Sequence, residues 1–252
     1  MEKILPAAIQ RIGFDADDTL WMNEPFYKKA EAEYVELMRS FAPPEEISAT
    51  LHEINIANLG IYGYGSRSFT LSMMETTLKL SGGKAASSHI AAILDLGKRL
   101  LRRPVELLED AVPVLEKLSE KYRLILITKG DLHEQEQKLR RSSLEHFFHH
   151  IEIMSEKNEV HYQKLLRHLE IAPHEFLMIG NSLKSDILPV LNLGGYGIHV
   201  PFHTVWAYDH LDQEVTHPNY RKLAKLSEIL EKSLQPATHG RCIPDGTAVP
   251  KQ

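Results

Sequence analysis

Five short runs rich in Ile, Leu and Val dominate the pattern of this chain: Arg11 to Phe14, Arg123 to Thr128, His150 to Met154, Phe176 to Gly180 and Gly197 to Val200. Each is too short for a typical helix and too continuously apolar for a surface segment, which suits strands buried on both faces. Between the later runs, apolar residues recur at three- and four-residue spacing over Val105 to Lys121, Leu132 to Leu144, Asn158 to Leu169 and Ser185 to Leu193. Strand alternating with helix in this way predicts an α/β fold built on a doubly wound, Rossmann-like parallel sheet. Sheets of that kind bind ligands at the carboxyl ends of their strands.

The first and second runs are separated by a long stretch, about Met22 to Arg103, that reads as helix throughout. Glu24 to Phe41, Glu45 to Asn58, Ser68 to Leu80 and Ala85 to Arg102 carry helical patterns, punctuated by Pro43-Pro44, Gly60 to Gly65 and Gly82-Gly83. The expected organisation is therefore a sheet-bearing core over 1–21 and 104–234, an inserted α-helical domain over 22–103, which the family resemblance given below makes a cap over a catalytic core, and a C-terminal extension over 235–252. That extension is rich in Pro, Gly and polar residues. It would need the body of the fold or a neighbouring chain to hold it, which brings a homodimer among the expectations.

Composition narrows the function. With 252 residues, 43% of them hydrophobic, the chain has enough apolar surface for one large domain or two smaller ones. A net charge of -5 is unsuited to neutralising a nucleic-acid backbone, so no nucleic-acid partner is expected. Cys242 is the sole cysteine, which excludes an intramolecular disulfide and a multi-thiolate zinc site. No apolar run approaches the roughly 20 residues that span a bilayer, and the first residues lack the long apolar region of a secretion signal. A cytoplasmic protein without a membrane partner is the expectation.

The chemistry concentrates in Phe14-Asp15-Ala16-Asp17-Asp18-Thr19-Leu20-Trp21, where three acids crowd the end of an apolar strand. Crowded carboxylates raise one another's pKa, and a cation relieves that repulsion. Hard oxygen donors at a strand end suit Mg²⁺. Asp15 to Thr19 resembles the first motif, Asp-x-Asp-x-Thr, of the haloacid dehalogenase superfamily. In that resemblance Asp15 is the covalent nucleophile and Asp17 the acid/base.

The resemblance implies three further motifs, each at a later strand end. Thr128 in Leu126-Ile127-Thr128-Lys129-Gly130 fits the second, where a hydroxyl and backbone N–H groups hold phosphoryl oxygens; Lys129 replaces the usual Asn and is counted among the phosphate-binding residues. Lys157 in Ser155-Glu156-Lys157-Asn158 fits the third, a cation offsetting nucleophile and phosphate, with Asn158 where family members often have Pro; Lys164 is the competitor, inside a helical pattern. Phe176 to Asp186 fits the fourth, with Asn181 where the first acid usually stands and Asp186 as the second. Asp15, Asp17 through its carbonyl, Asn181 and Asp186 are the implied metal ligands.

The resemblance implies a Mg²⁺-dependent hydrolase of a small soluble phosphate ester. The acid at Asp17 disfavours the dehalogenase branch, which needs no protonated leaving group. A phosphomutase of the same superfamily, or a binding or regulatory protein that lost turnover, are the alternative readings. Substrate selection is expected in the inserted region, at Tyr62, Tyr64 and Arg67, whose rings and charge suit a sugar, a base or an anionic group. His146, His149 and His150 lack the His-Glu-x-x-His spacing of a helical zinc site.

Overall fold

The structure is a computed structural model and describes residues 5–204 and 214–233. The C-terminal extension, with Cys242, lies outside the described residues. Among those described, six strands form one parallel sheet in the order β3-β2-β1-β4-β5-β6. They are β1 (Arg11–Phe14), β2 (Arg123–Lys129), β3 (Phe148–Met154), β4 (Phe176–Gly180), β5 (Tyr196–His199) and β6 (Tyr220–Lys222). β1 is central, with Phe14 opposite Leu126 of β2 and Ile179 of β4. The chain order reverses across the β1/β4 pair, which opens a crevice beyond the carboxyl ends of those strands.

The unbroken apolar runs follow from burial on both faces. Leu124 and Leu126 of β2 join Ile12, Phe14, Leu177 and Ile179 in one core cluster, against α5 (Ala111–Ser119). Ile125 and Ile127 point the other way, into a second cluster with Phe176 and Met178 against α7 (Glu159–His168). Alternate residues of a strand face opposite sides, so a two-faced sheet needs apolar residues at every position.

Between β1 and α5 stand four helices: α1 (Glu24–Met38), α2 (Pro44–Tyr62), α3 (Ser66–Ser81) and α4 (Ser87–Arg102). They bury their own core around Tyr34, Met38, Ile47, Leu51, Met73 and Ile93. Two connecting strands carry the chain to and from this bundle and pair antiparallel, Met22 N–H donating to Glu106 O at 2.9 Å and Leu108 N–H to Leu20 O at 2.9 Å. That pairing consumes residues 105–108, so α5 begins at Ala111 and not at Val105 as expected. Two other differences are local. The segment expected as one helix from Ser185 is a π-helical turn, Leu183–Ile187, followed by α8 (Leu188–Asn192), and β6 is a three-residue edge strand with no apolar run to betray it. No helix among the described residues is long and apolar enough to cross a membrane.

Candidate active site

Asp15 follows β1 directly, its N–H donating to Ile179 O at 2.9 Å, and its side chain is buried at the crevice. Lys157 Nζ reaches Asp15 Oδ1 at 2.5 Å and Asp186 Oδ1 at 2.7 Å, and all three side chains are less than a tenth exposed. Thr19 Oγ1 donates to Asp15 Oδ2 at 2.9 Å. Burial first, and then the charge of Asp186, raise the Asp15 carboxyl to about 7 against the opposing pull of Lys157. For Lys157 burial favours the neutral amine, yet the two carboxylates outweigh it and hold its pKa above the ordinary value.

Each of these groups is fixed by a local device. Asp186 lies in the π-helical turn, and its Oδ2 accepts from Ser182 N–H at 2.9 Å. It packs so closely over Gly180 that a Cβ there would sit 2.3 Å from Oδ2, which explains a glycine at the end of β4. Asn158, where Pro is common, caps α7 by accepting from His161 N–H at 3.1 Å. Lys164 lies on the exposed face of that helix, away from the site. Asn181 faces the cavity with its Oδ1 3.4 Å from Thr19 Oγ1, and its carbonyl accepts from His199 Nε2 at 2.9 Å. Burial lowers the His199 pKa, in keeping with a neutral ring whose Nε2 carries the proton.

Asp17 points elsewhere. Both of its oxygens accept from Lys138 Nζ at 2.7 Å, with Trp21 Nε1 at 2.6 Å and Gln135 Nε2 at 2.9 Å completing the set. Burial alone would raise its pKa, but the Lys138 charge and the hydrogen bonds from Lys138 and Gln135 bring it below the ordinary value. Asp17 therefore rests as a carboxylate held by Lys138. Lys138 and Gln135 lie three residues apart on the buried face of α6 (Leu132–Ser142) and escaped the sequence reading. The available signal was polar residues on the stripe where a core helix carries apolar ones. Asp18, at φ 62, caps α1 by accepting from Asn23 and Glu24 N–H groups at 2.8 and 3.0 Å, a structural task.

A cavity of about 460 Å³ runs from Asp15 and Thr128 up to the inserted helices. Thr128 is buried at the end of β2. Lys129 Nζ donates to Ser185 Oγ at 2.9 Å and lies 4.6 Å from the centre of the Tyr64 ring. Tyr64 lines the cavity and donates to Glu156 at 2.6 Å, tying the bundle to the core. Tyr62 and Arg67 do not line it. Tyr62 is 45% exposed, and Arg67 pairs with Asp131 at the start of α6, so their expected contact with substrate is corrected: Arg67 joins the bundle to the core from outside. Beside it the buried Glu134 accepts from Ser66 N–H at 2.8 Å and Ser66 Oγ at 2.6 Å.

The donor set fits a hard cation. Asp15 and Asp186 share one ammonium, so the cluster carries more carboxylate than its own cation offsets. Among the described residues no three His, Cys, Asp or Glu side chains converge on one point. A cation here would rest on two carboxylates, an amide oxygen, a main-chain carbonyl and ligand oxygens, which is a Mg²⁺-like environment.

Residues 9–194 match the family model described as haloacid dehalogenase-like hydrolase. A solved haloacid dehalogenase-like family hydrolase from Xanthomonas campestris is 36% identical, with a TM-score of 0.78 over 86% of this chain and 87% of that one. The N-acylneuraminate-9-phosphatase of Homo sapiens is 23% identical over 74% of this chain and 79% of its own length. The glyceraldehyde 3-phosphate phosphatase of Methanothermobacter thermautotrophicus is 26% identical over 74% of this chain and 83% of its own length.

Proposed function

The chain belongs to the haloacid dehalogenase-like hydrolases, and from that membership we propose that it is a Mg²⁺-dependent phosphomonoesterase acting on a small soluble phosphate ester through an aspartyl-phosphate. The observation that carries this reading is the buried Asp15 carboxylate, 2.5 Å from the Lys157 ammonium at the foot of a cavity of about 460 Å³. Both curated relatives named above are phosphatases, which favours transfer to water over a mutase.

Asp15 attacks phosphorus in line while the bond to the ester oxygen breaks, and the departing alkoxide takes a proton from Asp17. Water then attacks the phosphorus of the acyl-phosphate, gives its proton to Asp17 and releases orthophosphate and free Asp15. Splitting one displacement into two lowers each barrier. Lys157 offsets the charge of Asp15 and of the phosphoryl group, while Thr128 and Lys129 hold phosphoryl oxygens. Asp15, Asp186, the Asp17 carbonyl and Asn181 would hold Mg²⁺, whose part is to neutralise phosphoryl charge. Asp17 rests ionised against Lys138, the form that accepts a proton from water. An arriving phosphate dianion raises its pKa, and Asp17 takes up a proton from solvent before the ester bond breaks.

A screen of phosphate esters with and without Mg²⁺ tests the reading: Mg²⁺-dependent orthophosphate release is expected, and no release from any ester would contradict it. Asp17→Asn should slow alkyl phosphates more than aryl phosphates, because aryl oxygens leave with less protonation. Equal losses would reduce Asp17 to a structural role. Asn181→Asp adds a negative charge beside the cation and should lower the Mg²⁺ concentration for half-maximal activity. An unchanged or raised requirement would remove Asn181 from the metal site.

A further inference from the structure

His199, the last residue of β5, is buried, does not line the cavity and takes no part in the chemistry of Asp15 and Asp17. The sheet fixes its backbone. It lies opposite Gly180 of β4 and Lys222 of β6, and its carbonyl accepts from Leu223 N–H at 2.9 Å. The ring reaches past the end of β4, where Nε2 lies 2.9 Å from the Asn181 carbonyl. A carbonyl only accepts, so Nε2 carries a proton and donates it. On the other side of the ring, Nδ1 lies 3.4 Å from the Tyr220 hydroxyl of β6, at the long end of hydrogen-bond range.

The Asn181 carbonyl belongs to the same peptide unit as the Ser182 N–H. No peptide bond among the described residues is cis, so the two groups point in opposite directions across one rigid plane. Ser182 N–H donates to Asp186 Oδ2 at 2.9 Å, and Asp186 Oδ1 accepts at 2.7 Å from Lys157 Nζ, the ammonium that Asp15 shares. A hydrogen bond on the carbonyl side fixes the tilt of that plane and, through it, the direction from which Asp186 is held. It also polarises the peptide, which strengthens donation from the N–H side.

We infer that His199 is a positioning residue: acting through the Asn181–Ser182 peptide, it sets the direction of the Asp186 carboxylate toward Mg²⁺. The inference rests on the reading of Asp186 as a Mg²⁺ ligand in a phosphomonoesterase. One donor on β5 aligns two candidate ligands, because the peptide it holds carries the Asn181 side chain at one end and bonds Asp186 at the other. Loss of a group that orients a metal ligand costs about 10- to 100-fold in metal affinity or activity.

The test measures Mg²⁺ affinity without substrate, from the rise in melting temperature over a Mg²⁺ titration of the full-length chain. Hydrolysis of p-nitrophenyl phosphate over the same titration is followed alongside. His199→Phe keeps a ring and removes the donor. Its Mg²⁺ affinity should fall about 10- to 100-fold, with KM for p-nitrophenyl phosphate at saturating Mg²⁺ little changed. His199→Gln carries an amide nitrogen as many bonds from Cβ as Nε2 and should recover most of the affinity, whereas His199→Asn stops one bond short and should not. The Gln and Asn pair decides the matter if His199→Phe does not fold. Unchanged Mg²⁺ affinity in folded His199→Phe, or equal affinities in His199→Gln and His199→Asn, would overturn the inference and leave the phosphatase reading standing. A wild-type chain whose melting temperature does not respond to Mg²⁺ would overturn the reading of Asp186 as a ligand, and the inference with it.

Discussion

Asp15→Asn should lower turnover by roughly four orders of magnitude or more while leaving the fold intact, because no neighbouring group can form the acyl-phosphate in its place. The change is nearly isosteric, and Asp186 still accepts from Lys157 Nζ at 2.7 Å. Stability should respond in a characteristic way. The Asp15 carboxyl stands at about 7 in the folded chain, above the roughly 3.9 of an unfolded aspartate. Between those values the folded chain binds more protons than the unfolded one, so the contribution of Asp15 to stability falls as pH rises across that window. Asparagine carries no such dependence. Without metal at pH 8, the variant should therefore melt no lower than the wild type, and any advantage should shrink toward pH 4. Turnover within about tenfold of wild type would remove Asp15 from the chemistry.

Lys157→Met should lose both activity and stability. The ammonium sits between two buried carboxylates. Its folded pKa lies above the ordinary value, so its own titration adds no pH dependence below about 10, and any dependence there comes from the carboxyls it faces. Removing one partner from a buried ionic cluster leaves charge uncompensated, which costs about 3–5 kcal/mol. The loss should be greatest near pH 8 and smaller near pH 5, where the Asp15 carboxyl, raised to about 7, is protonated. Added Mg²⁺ should restore part of the melting temperature by offsetting the same charge. Turnover should fall roughly 100- to 1,000-fold, as for loss of one group that stabilises transition-state charge. Melting curves across pH decide the stability claim: a pH-independent loss would mean that Lys157 acts through packing alone.

The sheet was legible because burial on both faces writes continuous apolar runs such as Leu124 to Ile127, and the strand-end acids and Lys157 stand out against them. Asp15, Lys157 and Asp186 come from three strand ends and meet within hydrogen-bond distance. What stayed hidden depends on contacts between distant segments. Val105 to Leu108 has helical spacing, yet pairing with residues 20–22 keeps it extended. Lys138 is an ordinary helix lysine until the fold brings it 2.7 Å from Asp17. The Gly-rich turn suggested that Tyr62, Tyr64 and Arg67 act together, but the helix end sends Tyr62 to the surface and Arg67 to Asp131, leaving Tyr64 alone in the cavity.

The central claim is that Asp15 carries the phosphoryl group, and borohydride reduction during turnover tests it most directly. An aspartyl-phosphate is reduced to homoserine, whereas a free carboxylate is inert. The protein would be mixed with a phosphate ester it hydrolyses and Mg²⁺, quenched into borohydride, digested, and the peptide spanning Asp15 sequenced by fragment mass. Homoserine at position 15, dependent on substrate and absent from Asp15→Asn, is the expected result. Steady hydrolysis with aspartate intact at position 15 and homoserine at another position would contradict it.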